Sequence, residues 1–458
     1  MLYHEQQLSG WGRFPVARAA VATPERRDDI AAALRDQAKR NGGVIGRGTG
    51  LSYGDASLNS SGRVIAMGGL NRILAFDASS GLITCEAGVT LGQIFDLCVP
   101  QGWCVPVSPG TARVTVGGCL ASDIHGKNHQ LVGSFSQHVP RARILTAQGD
   151  LLTCGPDQNA ELFWATAGGM GLTGIILELT LQLQKIETGY LVSRKIATNS
   201  LDETFQRLES KENLEATYST SWIEGVKRGR KLGRAVLMLG EHATLADLPP
   251  EKRAAPFAVK RQPPKSLRYD IPSMLLRRPL GLAFNEYVYR HYASTAGKPS
   301  LAEVGDYFYL LDTYDNWNRL YGGDGFIEYQ VVLPPERAYD AVEKMLGVMH
   351  AAGIVSFFTS IKRLGKSAPG HISFPTPGYA FSVDIPAGRK TTLAALDGCD
   401  DITVAAGGRL YLAKDARMRA ELFPMMYPRH REWLGIVRRH DPDGIFASDM
   451  SRRLKLTA

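Results

Sequence analysis

The chain contains no run of about 20 apolar residues, the length a helix needs to span a hydrocarbon core, so no transmembrane helix is expected. Its start, MLYHEQQLSGWGRFP, shows no basic segment followed by an apolar stretch, so no cleavable signal is expected. Synthesis and folding are therefore expected in the cytoplasm; membrane association or a periplasmic-facing location stays open. Cysteine is sparse: Cys85, Cys98, Cys104, Cys119, Cys154 and Cys399 form no CxxC and no zinc-ligand spacing, and read as buried free thiols. His125 and His129 are four apart, but without the Glu of HExxH and in a glycine-broken segment, so no metal site is expected. Repeats and low-complexity tracts are missing. Basic residues are not interleaved with aromatics in a stacking pattern, which argues against a nucleic-acid partner.

Two phosphate-loop signatures are missing as well. A dinucleotide fingerprint needs G-x-G-x-x-G opening a helix after a strand. After Gly46-x-Gly48 the third glycine position is Leu51, and counting from Gly48 it is Tyr53. Gly126-Lys127 is followed by Asn128, so there is no P-loop. Nothing here would bind a nicotinamide cofactor.

What is present is glycine in three dense loops. GRGTGLSYGD (46–55) follows the apolar step Val44-Ile45, PGTARVTVGGCLASDIHGKNH spans 109–129, and AGGMGLTG spans 167–174. Glycine lets backbone approach a ligand closely and turns N–H groups toward an anion. Three such loops suggest one extended phosphate-bearing cofactor; the competing reading is ordinary turns in a glycine-rich protein. The net charge of +8 favours an acidic or phosphate-bearing partner. At 458 residues, the chain exceeds one compact core and fits two domains.

Local patterns predict an α+β protein. Thr23-Pro24-Glu25 reads as a helix start, with Gly42-Gly43 as its stop. Thr90-x-x-Gln93 reads as a capping box for a helix ending near Gly102. Leu177, Leu179, Leu181 and Leu183 alternate with polar residues, as in a half-buried strand. Tyr329, Val331 and Leu333, then Tyr379, Phe381, Val383 and Ile385, mark two further strands. A helix from Pro335 carries Tyr339, Val342, Leu346 and Met349 on one face. Glu328 and Gln330 share a sheet face that is either solvated or lines a polar pocket. Domains are expected at 1–188, at 189–405, with 251–300 as a basic loop, and at 406–458, which returns to the first. The stretch 251–280 carries eight Lys and Arg against Glu251 and Asp270, with Ile271, Met274, Leu275 and Leu276 between. It is either a solvated loop or a membrane-surface contact.

These motifs resemble the FAD-binding domain of the vanillyl-alcohol-oxidase/PCMH flavoprotein superfamily. In particular they are similar to its decaprenylphosphoryl-β-D-ribose 2′-oxidase branch, the flavin half of an epimerase that makes the arabinose donor of mycobacterial cell walls. The likeness runs from LSGWGR through GRGTGLSYGD, VTVGG, DIHGKNH, ELFWATAGGMGLTGII and WNRLYG to RLYLAKDAR and FASDMSRRL. It implies a PCMH-type FAD-binding domain and a substrate domain whose antiparallel sheet is covered by helices. FAD would be wrapped by Gly46, Arg47, Gly48, Thr49, Gly50, Ser52, Tyr53 and Gly54. It would be lined by Gly110, Thr115, Val116, Gly117, Gly118, Ser122, Ile124, His125 and Ile176, with Tyr411 near the isoalloxazine. The first loop holds no histidine, so the FAD is expected to be non-covalent.

Oxidising a secondary alcohol requires hydride transfer to the flavin and loss of the hydroxyl proton. Among Lys414, Tyr53, His125 and Lys362, Lys414 is the expected base, partly desolvated beside the flavin. The competing reading pairs it with Asp415 or a phosphate. Tyr53 and His125 would orient the hydroxyl. The resemblance further implies that Gln330 and Lys362 contact substrate and that Trp222 and Phe308 flank the entrance. Glu328 stands where the mycobacterial enzyme has Gln, Ala380 where it has Asn, and Ser382 replaces the cysteine trapped by nitroaromatic inhibitors. The implied reaction oxidises the 2′-hydroxyl of a polyprenylphosphoryl-β-D-ribofuranose, a lipid-linked phosphosugar, with a separate short-chain NAD(P)H-dependent reductase completing the epimerisation. An aldonolactone or alditol oxidase is the alternative, and a non-catalytic flavin-binding subunit a third reading.

Overall fold

The computed structural model describes residues 2–37, 41–261, 263–272 and 275–456, so Met274 lies outside the described residues. The architecture is α+β, built on three main sheets.

The first sheet joins β1 (His4–Ser9), β2 (Val16–Ala22), β3 (Val44–Arg47) and β4 (Arg63–Ala66) in the order β1-β2-β4-β3. The second joins β5 (Ile73–Asp77), β6 (Leu82–Glu86), β7 (Arg141–Leu145), β8 (Leu151–Cys154) and β9 (Ile175–Gln182) in the order β5-β6-β9-β7-β8. β9 is the alternating leucine strand, central in its sheet, with Leu177, Leu179 and Leu181 buried. The expected capping box is present: the Gln93 N–H donates to Thr90 Oγ1 (3.2 Å), the Thr90 N–H donates to Gln93 Oε1 (2.9 Å), and the helix runs Leu91–Cys98. The helix expected from Thr23 instead starts at Arg27, which pairs with Glu178 of β9 at 2.5 Å. A Cβ on Gly69 would stand 2.3 Å from the Pro24 carbonyl, so Pro24 packs against another loop rather than opening the helix.

The third sheet is antiparallel and has eight strands among the described residues. They are β10 (Tyr190–Ala197), β11 (Tyr218–Ile223), β12 (Ala235–His242), β13 (Ser300–Glu303), β14 (Phe326–Leu333), β15 (Thr359–Leu364), β16 (Gly378–Pro386) and β17 (Arg409–Leu410). Their order is β13-β10-β12-β11-β15-β16-β14-β17. Helices Pro335–Ala351 and Lys390–Ala405 cover one face. The first buries Val342, Leu346 and Met349, and the second offers Thr403 Oγ1 to the Tyr329 hydroxyl at 3.0 Å. Odd-numbered residues of β14 thus face the helices, and period two sends Glu328 and Gln330 to the opposite face. Both are buried there, so that face lines a polar pocket rather than solvent.

The C-terminal segment packs on the first sheet. Val44 N–H donates to the Ile445 carbonyl (2.7 Å), Ala447 N–H donates to the Val44 carbonyl (3.1 Å), and Arg453 binds Asp55 at 2.8 Å. The basic stretch expected as a loop is one only in part: Lys265–Ser266 pairs with Tyr314–Asp315, and Arg278–Ala293 is a helix with Pro279 in its first turn. No described helix is long and apolar enough to cross a membrane.

Candidate active site

The three glycine loops meet under the polar face of the third sheet. A Cβ on Gly48 would stand 2.2 Å from Thr115 Oγ1, one on Gly117 2.8 Å from Ala87 Cβ, and one on Gly46 3.2 Å from Ile175 Cδ1. These approaches admit only glycine at Gly48 and Gly117 without displacement of neighbours, and they pack the glycine loops closely on the residues around them. Thr115 Oγ1 accepts from the Gly118 N–H (3.3 Å) and shapes the turn into Val116–Ala121. Thr49 Oγ1 donates to the Arg113 carbonyl at 2.8 Å, tying the first loop to the second. Arg47 lies within the first loop, but its guanidinium turns back to the Ser9 carbonyl (2.7 Å) and Ser57 Oγ (3.1 Å). The guanidinium braces the loop.

Strand register assembles the opposite wall. Glu328 lies across from Asp384, and Gln330 from Ser382. Ser360 lies across from Ser382 and Lys362 from Ala380, while Trp222 is partnered with Ser360. Alternation therefore gathers Trp222, Lys362, Ser382, Gln330, Glu328 and Asp384 on one face from four strands. The Ser360 and Ser382 hydroxyls bond at 2.8 Å.

Lys414 enters from the turn after β17. Its Nζ donates to Glu328 Oε2 (2.8 Å) and stands 3.4 Å from the centroid of the Tyr53 ring. Its neighbour Asp415 binds Arg453 (2.8 Å) instead, so the anticipated Lys414–Asp415 pairing gives way to Lys414–Glu328. The Tyr53 N–H donates to the Ala413 carbonyl (2.9 Å), which locks the first glycine loop to the Lys414 turn. The Tyr53 ring packs edge-on against Phe326 at 5.3 Å. Tyr411 donates its hydroxyl to the Ser122 carbonyl (2.8 Å) and stacks on Phe374 at 4.5 Å. His125 accepts at Nε2 from the Gln330 amide (3.0 Å), which leaves its proton on Nδ1.

Burial sets the electrostatics of this pocket. It pushes the imidazole of His125 well below its ordinary pKa, assisted by Lys362, His129 and Lys414, so His125 is neutral. The same cause, with Lys362, brings His129 down to about 4 and Lys127 to about 7. Lys362 is lowered to about 8 by burial, against the attraction of Glu328. Burial and then Glu328 raise the Tyr53 phenol, and the same two causes raise Asp384 well above the carboxylate range.

Lys414, Tyr53, His125, Glu328, Gln330, Lys362, Ser382 and Tyr411 thus come together around one pocket. Trp222 and Phe308 do not flank an open entrance: they are 4% and 3% exposed, and Phe308 packs on Tyr218 at 4.9 Å. They are wall residues. Three further groups belong to the site: Asp384, Tyr321, whose hydroxyl donates to Asp384 Oδ2 (3.1 Å), and Lys127, whose ammonium donates to the Tyr307 carbonyl and lies 4.3 Å from that ring. Alternation along 378–386 put Asp384 on the face of Ser382 and was the available signal.

The site fits an extended phosphate-bearing flavin. Gly48 brings the first glycine loop onto the second, and Nδ1 of His125 is buried with no partner among the described residues, a donor open to a ligand. Residues 18–155 match a family described as an FAD binding domain. The chain is 40% identical over 457 residues to the decaprenylphosphoryl-β-D-ribose oxidase of Mycolicibacterium smegmatis, covering 98% of each. It is 31% identical over 187 residues to bovine (Bos taurus) L-gulonolactone oxidase, covering 40% of this chain and 41% of that protein. It is 21% identical to an L-gulono-1,4-lactone dehydrogenase of Mycobacterium tuberculosis, over 97% of this chain and 98% of that protein.

Proposed function

We propose that this chain, which belongs to the decaprenylphosphoryl-β-D-ribose oxidase family of FAD-dependent oxidoreductases, oxidises the 2′-hydroxyl of a polyprenylphosphoryl-β-D-ribofuranose to the 2′-keto sugar. The observation that carries this reading is identity sustained over 98% of both chains, substrate sheet included. Likeness to the lactone-acting relatives is either partial, 31% over 40% of the chain, or distant, 21% over 97%, which does not favour free lactones or polyols.

FAD is the cofactor and accepts the hydride when bound. The first glycine loop, Gly110, Thr115–Gly118, Ser122, Ile124 and Ile176 would hold it, with His125 and Tyr411 as further contacts. The attachment is non-covalent, since the first loop offers no nucleophilic histidine. Lys414 and Tyr53 meet the reacting hydroxyl, and Lys414 takes up its proton. Gln330 holds the His125 imidazole in one tautomer. Lys362 and Ser382 contact the sugar and its phosphate and Glu328 meets the sugar, with Trp222 and Phe308 behind them.

A lipid-linked substrate must be drawn from a membrane. Helix Arg278–Ala293 and the segment before it expose Tyr269 (85%), Tyr287 (67%), Leu275, Leu280 and Phe284 beside Arg268, Arg277 and Arg278. Each basic group near anionic headgroups contributes about 1 kcal/mol. Flotation with anionic liposomes checks this contact, and equal flotation of a variant stripped of these Arg and Lys residues removes it from the reading. The keto product needs a separate NAD(P)H-dependent short-chain reductase to become the arabino epimer, because this chain has no dinucleotide fingerprint.

The test is anaerobic addition of a prenylphosphoryl-β-D-ribofuranose to the yellow protein. Bleaching of the flavin bands is expected. Bands that persist with this sugar and bleach with a free polyol or lactone overturn the substrate.

A further inference from the structure

Two buried carboxyl groups face each other at the end of the pocket where Lys414 enters. Glu328 on β14 and Asp384 on β16 are direct register partners. Side chains so placed have Cβ atoms about 5 Å apart. Their surroundings differ. Glu328 Oε2 receives the Lys414 ammonium at 2.8 Å, whereas Asp384 Oδ2 receives, among the described residues, the Tyr321 hydroxyl at 3.1 Å. Asp384 Oδ1 is buried without a partner. The other ionisable groups facing the pair are Tyr53, Tyr411 and Lys362.

We propose that Glu328 and Asp384 form a carboxyl pair holding one proton at rest, and that Glu328 is the terminal acceptor of the substrate hydroxyl proton, reached through Lys414. Two carboxylates this close in a buried site do not both ionise, and their protons belong to the pair. The resting proton sits on Asp384, whose Oδ2 meets a neutral phenol, and the Glu328 oxygen that receives the Lys414 N–H is the open acceptor of the pair. An ammonium that donates to a carboxylate has no lone pair to accept a proton, so Lys414 cannot be the end of the path. The proposal rests on the reading of the reaction given above.

The step balances as follows. The substrate O–H bond breaks and its proton passes to Lys414 nitrogen, while a Lys414 N–H proton moves to Glu328 Oε2. The C2–H bonding pair leaves as hydride to FAD, and the C=O bond forms. The sugar loses two electrons, and the pair ends with both carboxyls protonated beside a cationic Lys414.

The test uses the FAD-loaded protein, wild type and E328Q, with D384N added if it retains FAD. Infrared spectra without substrate read the C=O stretch of a protonated carboxyl. The wild type is expected to show this band at neutral pH, and in E328Q, where the opposing carboxylate is gone, the band should titrate away at lower pH. Anaerobic bleaching at saturating prenylphosphoryl ribose should slow about a hundredfold in E328Q. A band that titrates identically in both proteins, or wild-type bleaching in E328Q, overturns the proposal. If the sugar bleaches neither protein, the substrate reading fails, and the infrared comparison alone decides the pair.

Discussion

The side-chain amide of Gln330 stands 3.0 Å from Nε2 of His125, 205 residues earlier in the chain. This single bond crosses from the third sheet to the second glycine loop and fixes which ring nitrogen carries the proton. Removing it should leave FAD bound but free the imidazole to turn. Q330A is expected to slow anaerobic flavin bleaching on the order of tenfold, the effect of one hydrogen bond in a buried site. A rate within twofold of wild type would show that the contact does not guide the reaction.

Lys414 lies outside the glycine cradle, held between Glu328 and the Tyr53 ring. K414M should therefore keep its flavin spectrum while losing between about a hundred- and ten-thousandfold in the bleaching rate, the span for removal of a proton-transfer group. Loss of FAD from K414M would instead assign Lys414 to cofactor retention.

The features legible in the sequence are those whose cause is local. The Thr90 capping box and the helix from Pro335 follow from residues within one or two turns, and both stand where the pattern put them. The helix expected at Thr23 starts later, because Pro24 is packed against Gly69, a contact no local pattern reports. Alternation placed Glu328 and Gln330 on one face but could not say what covers it. Register is a non-local property, and it alone brings Asp384 opposite Glu328. Trp222 and Phe308 were visible as aromatics, yet their burial depends on neighbours from other strands.

His129 offers a stability test. Its Nδ1 accepts from the Gly365 N–H (3.1 Å) and its Nε2 meets Ser134 Oγ (3.2 Å), so protonation would break the first bond. Its pKa falls to about 4 through burial and then Lys362, below the ordinary value near 6.5. As pH drops, the unfolded chain takes up the proton first. Stability is therefore full above about pH 6.5 and declines toward pH 4, with roughly 2 kcal/mol lost by pH 5. Urea unfolding at pH 7 and pH 5 should show a drop smaller by about that amount in H129Q; identical drops would mean that His129 is not the group titrating.

The glycine cradle can be probed at Gly48. An added Cβ there meets Thr115 Oγ1 at 2.2 Å, the oxygen that caps the Gly118 turn, and losing such a cap costs about 1 kcal/mol. Gly68 has no heavy atom within 4 Å of the same construction. G48A should purify with a much lower flavin-to-protein ratio than wild type, and G68A with an unchanged one. Equal flavin content in both would place the cofactor away from the meeting point of the first two loops.

The last prediction concerns covalent capture. Position 382 presents a hydroxyl bonded to Ser360 at 2.8 Å, not the thiol that nitroaromatic inhibitors capture. The six cysteines do not substitute for a thiol there. All are buried, and burial pushes Cys85, Cys98, Cys104 and Cys399 up to about 12 and Cys154 to about 11, with Cys119 raised as well. The thiolate is the reactive form, so none of them attacks at neutral pH. Nitroaromatic suicide inhibitors should thus inhibit reversibly, with no mass added to the protein after turnover. S382C places a thiol on the pocket face beside Gln330, and it should gain the mass of one inhibitor under the same conditions. An adduct on the wild-type chain would mean that a buried thiol becomes exposed during turnover, and peptide mapping would identify which one.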